Sequence, residues 1–193
     1  DNFKGGWEAG MHLARLGHRR IAIISGPPTS TSIQDRMKGY RRALAEHSIP
    51  LPADWMLHGD LRPASALQLA QSLLACRPRP TAILAANDQM AIATIRAGLK
   101  LGLRVPEDLS VIGFDNIELA SYISPALTTM GVPLYRIGVA AAESAIRLLN
   151  GLPKYEETWF TPELIVREST GPPPMAEVSG KFSGRSNPQK RTG

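Results

Sequence analysis

Four polar clusters in this 193-residue chain hold the side chains best suited to gripping a small polar molecule. They are Ser30, Thr31 and Ser32 with Arg36; Gly59 and Asp60 with Leu61; Asn87 with Asp88; and Asp115 with Asn116. A guanidinium, carboxylates and carboxamides offer forked donors and paired acceptors, so they can make two parallel hydrogen bonds to a hydroxyl-rich or heterocyclic partner. Each cluster also has a purely structural reading. Ser32, Asn87 or Asp88 can cap a helix, and at Ser32 capping and ligand contact are compatible. Asp115-Asn116 can fold back on its own backbone as a turn, and Arg36 can be a solvated surface arginine.

Catalytic chemistry lacks its usual marks. There is no G-x-S-x-G elbow, no G-x-x-x-x-G-K-[ST] phosphate loop and no G-x-G-x-x-G fingerprint. His12, His18, His47 and His58 have no evident nucleophile to serve, and His18 lies in a Gly17-His18-Arg19-Arg20 turn that suits capping. Structural roles are expected for all four. The single cysteine, Cys76, cannot form an internal disulfide, and no Cys/His spacing fits zinc, so neither metal nor cofactor is expected. Met37, Met90 and Met130 are expected to fill the core.

The elements that must position the four clusters follow from periodicity. Short β-branched runs alternate with segments of helical period, the pattern of a parallel sheet wrapped by crossover helices. Helices are expected over residues 5–16, from Ser32 onward, and over 64–75, 88–101 and 134–149, the last ended by Asn150-Gly151 and Pro153. In the second, Ser32 and Asp35 have capping-box spacing, and Ile33, Met37, Tyr40 and Leu44 make an apolar face. Strands are expected over 21–24, 55–58, 81–85 and 111–114, with a last one over 157–160 continuing through 164–166. This predicts an α/β fold, an open parallel sheet with helices on both faces. In such sheets ligands bind outside the carboxyl ends of the strands. All four polar clusters fall on that edge, and the convergence points to a site.

Composition is that of an ordinary core-forming chain, with 43% hydrophobic and 20% charged residues. The net charge of +5 is unevenly placed. Residues 171–193 hold four basic residues and one acidic, or +3, which leaves +2 for residues 1–170. That segment opens Gly171-Pro172-Pro173-Pro174 and is expected to be a disordered basic tail. No apolar stretch approaches the roughly 20 residues of a membrane span, and nothing at the start resembles a signal peptide. No membrane is expected as partner, and the cysteine usage fits the reducing cytoplasm.

Several phrases resemble the LacI/GalR family of transcription regulators. They are Asp1-Asn2 with Gly5-Gly6, Leu16-Gly17-His18-Arg19-Arg20-Ile21-Ala22, Gly26-Pro27, Arg36-x-x-Gly39-Tyr40, Ala86-Asn87-Asp88-Gln89-Met90-Ala91, the run from Val105-Pro106-Glu107 to Phe114-Asp115-Asn116, and Pro125-Ala126-Leu127-Thr128-Thr129. They occur in this order, and the resemblance covers about residues 1–170. The resemblance implies a core like a type I periplasmic binding protein, two α/β lobes closing over an effector. Residues 1–131 would be the C-terminal lobe, 132–155 a crossover segment and helix of the N-terminal lobe, and 156–170 a strand returning to the C-terminal lobe. The operator-reading headpiece and most of the N-terminal lobe would lie outside this chain. Family positions that touch effector fall on Asp1, Ser32, Arg36, Leu61, Asn87 and Asp115. Leu61 stands where some members stack an aromatic ring, and Val132 where a polar residue is common. The resemblance further implies a homodimer formed through Ile92, Ile95 and the segment around Tyr122. The implied function is the effector-sensing, dimerising domain of a DNA-binding regulator, a repressor, responding to a sugar or related polar metabolite and not an enzyme. A periplasmic sugar-binding protein of an uptake system shares the fold and is the alternative.

Overall fold

The computed structural model describes residues 1–153 and 157–174. Its apolar runs become β1 (Ile21–Ser25), β2 (Met56–His58), β3 (Ala82–Ala85), β4 (Ser110–Asp115), β5 (Thr128–Gly131) and β6 (Glu163–Ile165), joined in one sheet of order β2-β1-β3-β4-β5-β6. All pairs are parallel except β5–β6. The strands β1, β3 and β4 are buried along almost their whole length. Burial on both faces is why they read as continuous apolar runs and do not alternate.

The helices are α1 (Asn2–Arg15), α2 (Thr31–Glu46), α3 (Pro63–Ala75), α4 (Asp88–Lys100) and α5 (Leu134–Leu149). The chain steps from β1 outward to β2 and then back past β1 to β3 and β4. Right-handed crossovers therefore put α2 on one face of the sheet and α3 and α4 on the other. Helix α1 packs on α2, and α3 on α4. The winding reverses at β1 and β3, whose carboxyl ends consequently open into a crevice.

Several expectations are corrected. Helix α1 begins at Asn2, three residues early, because the Asp1 carboxylate accepts the Lys4 N–H at 2.9 Å as its N-cap. The Ser32/Asp35 capping box does not form: Ser30 occupies the N-cap position, and Asp35 pairs with Lys38 at 2.7 Å. Strand β5 carries no strong alternation and escapes a periodicity search. Residues 157–160 form no strand, whereas Glu163–Ile165 does, antiparallel to β5. Residues 171–174, assigned to the tail, belong to the folded part; residues 175–193 of that segment lie outside the described residues.

The reason residues 171–174 are held lies at the amino edge of the sheet. His18 is fully buried there, with Nδ1 at 2.9 Å from Thr81 Oγ1 and Nε2 at 3.1 Å from Ser110 Oγ and 2.9 Å from the Gly171 carbonyl. Ser169 Oγ donates to the Val111 carbonyl at 2.6 Å and accepts the Thr128 N–H at 2.8 Å. His18 thus bridges the starts of β3 and β4 to the segment after β6. Burial drives its imidazole down to about 4, so it sits neutral in this network. Helix α5 differs from the other four. It has no buried residue, and Leu134, Tyr135, Val139, Ile146, Leu148 and Leu149 are exposed along it.

Candidate functional site

Arg36 sits in the second turn of α2, and its side chain reaches over the carboxyl edge of the sheet. Its Nε donates to Asn2 Oδ1 at 2.8 Å and Nη1 to the Ala86 carbonyl at 2.5 Å, just past β3. The guanidinium lies 3.6 Å from the centroid of the Phe114 ring, which adds cation–π attraction. Its Nη2 stands 3.7 Å from Asp115 Oδ1 at the end of β4. Residues from α1, α2, β3 and β4 therefore converge on one cation. The side chain of Arg36 is 13% exposed and that of Asp115 31%. Burial pushes the Asp115 carboxyl up against the downward pull of Arg36. Burial also lowers Arg36, with Tyr40, Asp115 and Asp88 opposing; arginine stays charged through a shift of this kind. The solvated-surface reading of Arg36 is thereby excluded.

The other candidates are distributed along the same edge. Asn87 caps α4, accepting the Met90 N–H at 2.9 Å, and its Nδ2 donates to the Leu61 carbonyl at 3.2 Å, tying the loop after β2 to the loop after β3. Leu61 itself has a left-handed backbone (φ 68°) and packs partly buried against the core. Ser32 lies half-buried one helical turn before Arg36, on the same face of α2. Asp1 is bound into the cap of α1 and reaches the site through its neighbour Asn2. Arg36 and Asp115 are thus joined directly, Asn87 and Leu61 to each other, and Asp1 only through Asn2.

Two cavities lie beside this group and touch it only at Asp1 and Asn116; Arg36, Asp115, Asn87, Ser32 and Leu61 line neither of them. A cavity of about 580 Å³ lies between α5 and residues 157–160 and includes Asp1, Glu143, Trp159 and Phe160 on its wall. A second, of about 520 Å³, runs from Asn116 past Val132 and Arg136 to Glu163. Among the described residues no cluster of His, Cys, Asp or Glu could hold a metal ion. The edge offers a cation, a carboxylate with open lone pairs and amide groups, which suits a ligand with several donors and acceptors.

Three contributors lie within the family-like phrases but are not singled out there as site residues: Asn2, Phe114 and the Ala86 carbonyl. Asn2 stands beside Asp1 in one such phrase with nothing in its spacing to mark it as a partner of Arg36, and a backbone carbonyl has no side-chain signature at all. Among the proposed dimer residues, Ile95 is corrected. It is 3% exposed and packs inside the core, so it presents no surface to a partner. Ile92 is half-buried and lies with Leu67, Ala93, Arg96 and Leu119 in a groove of about 590 Å³ between α3 and α4, while Tyr122 is 76% exposed.

Residues 11–170 match the family model described as a periplasmic binding protein-like domain. The HTH-type transcriptional repressor PurR of Klebsiella pneumoniae (strain 342) is 37% identical over 176 residues, covering 91% of this chain and 52% of the repressor. The chain thus spans about half the length of the curated relatives it matches. Among solved structures, a LacI family transcriptional regulator from Mycobacterium smegmatis superposes with a TM-score of 0.84 at 37% identity, covering 90% of this chain and 65% of that one. A LacI family regulator from Enterococcus faecium with bound ribose gives 0.81 at 32% identity, covering 89% and 64%.

Proposed function

Because the chain belongs to the periplasmic binding protein-like domain family, we propose that it is the effector-sensing part of a LacI-type transcription regulator, responding to a sugar or related polar metabolite. One observation carries this reading: Arg36 and Asp115, from opposite ends of the chain's βα repeats, meet 3.7 Å apart at the carboxyl-edge crevice with the Asp115 carboxylate still partly open. In this reading a ligand bridges the two charges, Asn87 and Ser32 add hydrogen bonds, and Leu61 packs on its apolar side. The exposed face of α5 fits a crossover helix whose second lobe lies outside these residues. Effector binding would shift the balance between lobe arrangements, and operator DNA would be read by a headpiece outside this chain. That the E. faecium neighbour holds ribose supports a sugar-class ligand.

A thermal-shift screen of the intact regulator against ribose, cellobiose, sugar phosphates and nucleobases tests the reading. A ligand at 100 times its Kd should add about 2.7 kcal/mol. With the ligand found, Asp115→Asn should weaken binding by roughly one to two decades, the loss of a charged hydrogen-bond partner, with little change in melting. Arg36→Met should cost affinity and also stability, since the guanidinium holds Asn2 and Ala86. Unchanged affinity in both variants would move the ligand elsewhere.

The groove between α3 and α4 is proposed as the homodimer surface, with Ile92, Leu119 and Tyr122 at its contact. Ile92→Arg should convert dimers to monomers in sedimentation. An unaltered dimer would place the interface on another face.

A further inference from the structure

The turn that presents Asp115 has an unfavourable backbone: φ is 113° at Asp115, a positive value that side-chain-bearing residues avoid, followed by 58° at Asn116 in the left-handed well that asparagine tolerates. Something must hold it. Asp88 at the start of α4 is fully buried, and its carboxylate accepts from two elements at once. Oδ2 takes the Ile117 N–H at 2.8 Å, just beyond the turn, and Oδ1 takes the Thr129 hydroxyl at 2.5 Å, on β5. Glycine at 113 makes room for it, as a Cβ there would stand 2.2 Å from Asp88 Oδ1. On the other side Arg167, in the segment after β6, donates Nη2 to Asn116 Oδ1 at 2.7 Å and Nη1 to the Leu127 carbonyl at 2.7 Å. The Asp115 carbonyl accepts the Val132 N–H at 3.4 Å, where the chain leaves β5 for α5.

We propose that Asp88 and Arg167 are positioning residues of the effector site, locking the Asp115–Asn116 turn and the end of β5 into one unit. A ligand that pulls on Asp115 then also moves the start of the crossover, because Asp88 joins the turn to β5 and the Asp115 carbonyl accepts the Val132 N–H at the end of that strand. Neither residue touches the ligand. Asp88 is sealed from solvent, and Arg167 spends both Nη groups within the fold. A buried carboxylate is disfavoured here, its ionisation pushed up to about 6 mainly by burial. It is retained where two donors from separate elements need one shared acceptor pair.

This inference rests on Asp115 being the anchor proposed above, but its test needs no ligand, so the two can fail separately. Thr129→Val, Thr129→Ser and Arg167→Met are compared with the wild type in the intact protein. Hydrogen exchange of residues 115–117 and 132 is measured relative to exchange in β3, and the Asp115 carboxyl is titrated by carbon-detected NMR. Thr129→Val and Arg167→Met should raise the relative exchange about tenfold, the effect of losing one hydrogen bond. Both should shift the Asp115 titration, as its distance to Arg36 is no longer fixed. Thr129→Ser keeps the hydroxyl and should restore both readouts. If exchange rises equally in β3, or if Asp115 titrates unchanged in Thr129→Val and Arg167→Met, these residues serve only global folding and the proposal is overturned.

Discussion

Gly39→Ala should cost the protein about 3 kcal/mol or more, at or beyond the upper end of ordinary overpacking. A Cβ at 39 would stand 2.1 Å from the Phe3 carbonyl oxygen and 2.6 Å from the Trp7 nitrogen; one at Gly6 would stand 2.3 Å from the Arg36 carbonyl oxygen. Both clashes are with backbone, so no side chain can swing aside. The two helices must separate, and α1 carries Asn2 away from Arg36 as it moves. Gly39→Ala should therefore weaken effector binding as well as folding, though residue 39 touches no candidate ligand group. Urea unfolding of the variant measures the first effect and titration with the screened ligand the second. A stability change within about 1 kcal/mol of wild type would show that the helix pair gives way more easily than its backbone contacts imply.

The second large effect is an opposed pair of acid responses. His18 has an ordinary value of 6.5 and a folded value of about 4. The unfolded chain therefore takes up its proton first, and stability falls as pH drops from 6.5 toward 4, by ~3 kcal/mol in all. Asp88 runs the other way. Its folded value of about 6 lies above the ordinary 3.8, so the native state binds the proton first and gains ~3 kcal/mol as pH falls from 6 to 3.8. The two nearly offset in the wild type, and variants should separate them. Between pH 7 and 4, the stability advantage of wild type over His18→Gln should shrink by ~3 kcal/mol, while wild type should gain a similar amount relative to Asp88→Asn. Taking differences removes the other carboxyls, including Asp108, held down at about 2 chiefly by its hydrogen bonds to Arg104. Urea melts at pH 7, 5.5 and 4 give the measurement. Parallel curves for all three proteins would mean that neither group is held as the structure places it.

Much of this protein was legible in one dimension. Buried strands such as β1 and β3 are contiguous apolar runs, and a helix writes its face every three to four residues, so the alternation of elements and the carboxyl-edge position of Arg36, Asn87 and Asp115 follow from local pattern. Local pattern fails where a residue's role depends on a neighbour distant in sequence. Strand β5 has two threonines, a methionine and a glycine, and becomes a strand because β4 and β6 lie beside it. Ile95 has the same chemistry as Ile92, and its packing in the core separates them. Asp88 and Asn87 are adjacent helix-start residues of similar type. Folding seals one against Ile117 and Thr129, 29 and 41 residues away, and leaves the other at the crevice. The 3.7 Å between Arg36 and Asp115 has the same origin. Charge and hydrogen-bonding capacity belong to the residue, but which partners it meets depends on distances that arise when the sheet closes up between them.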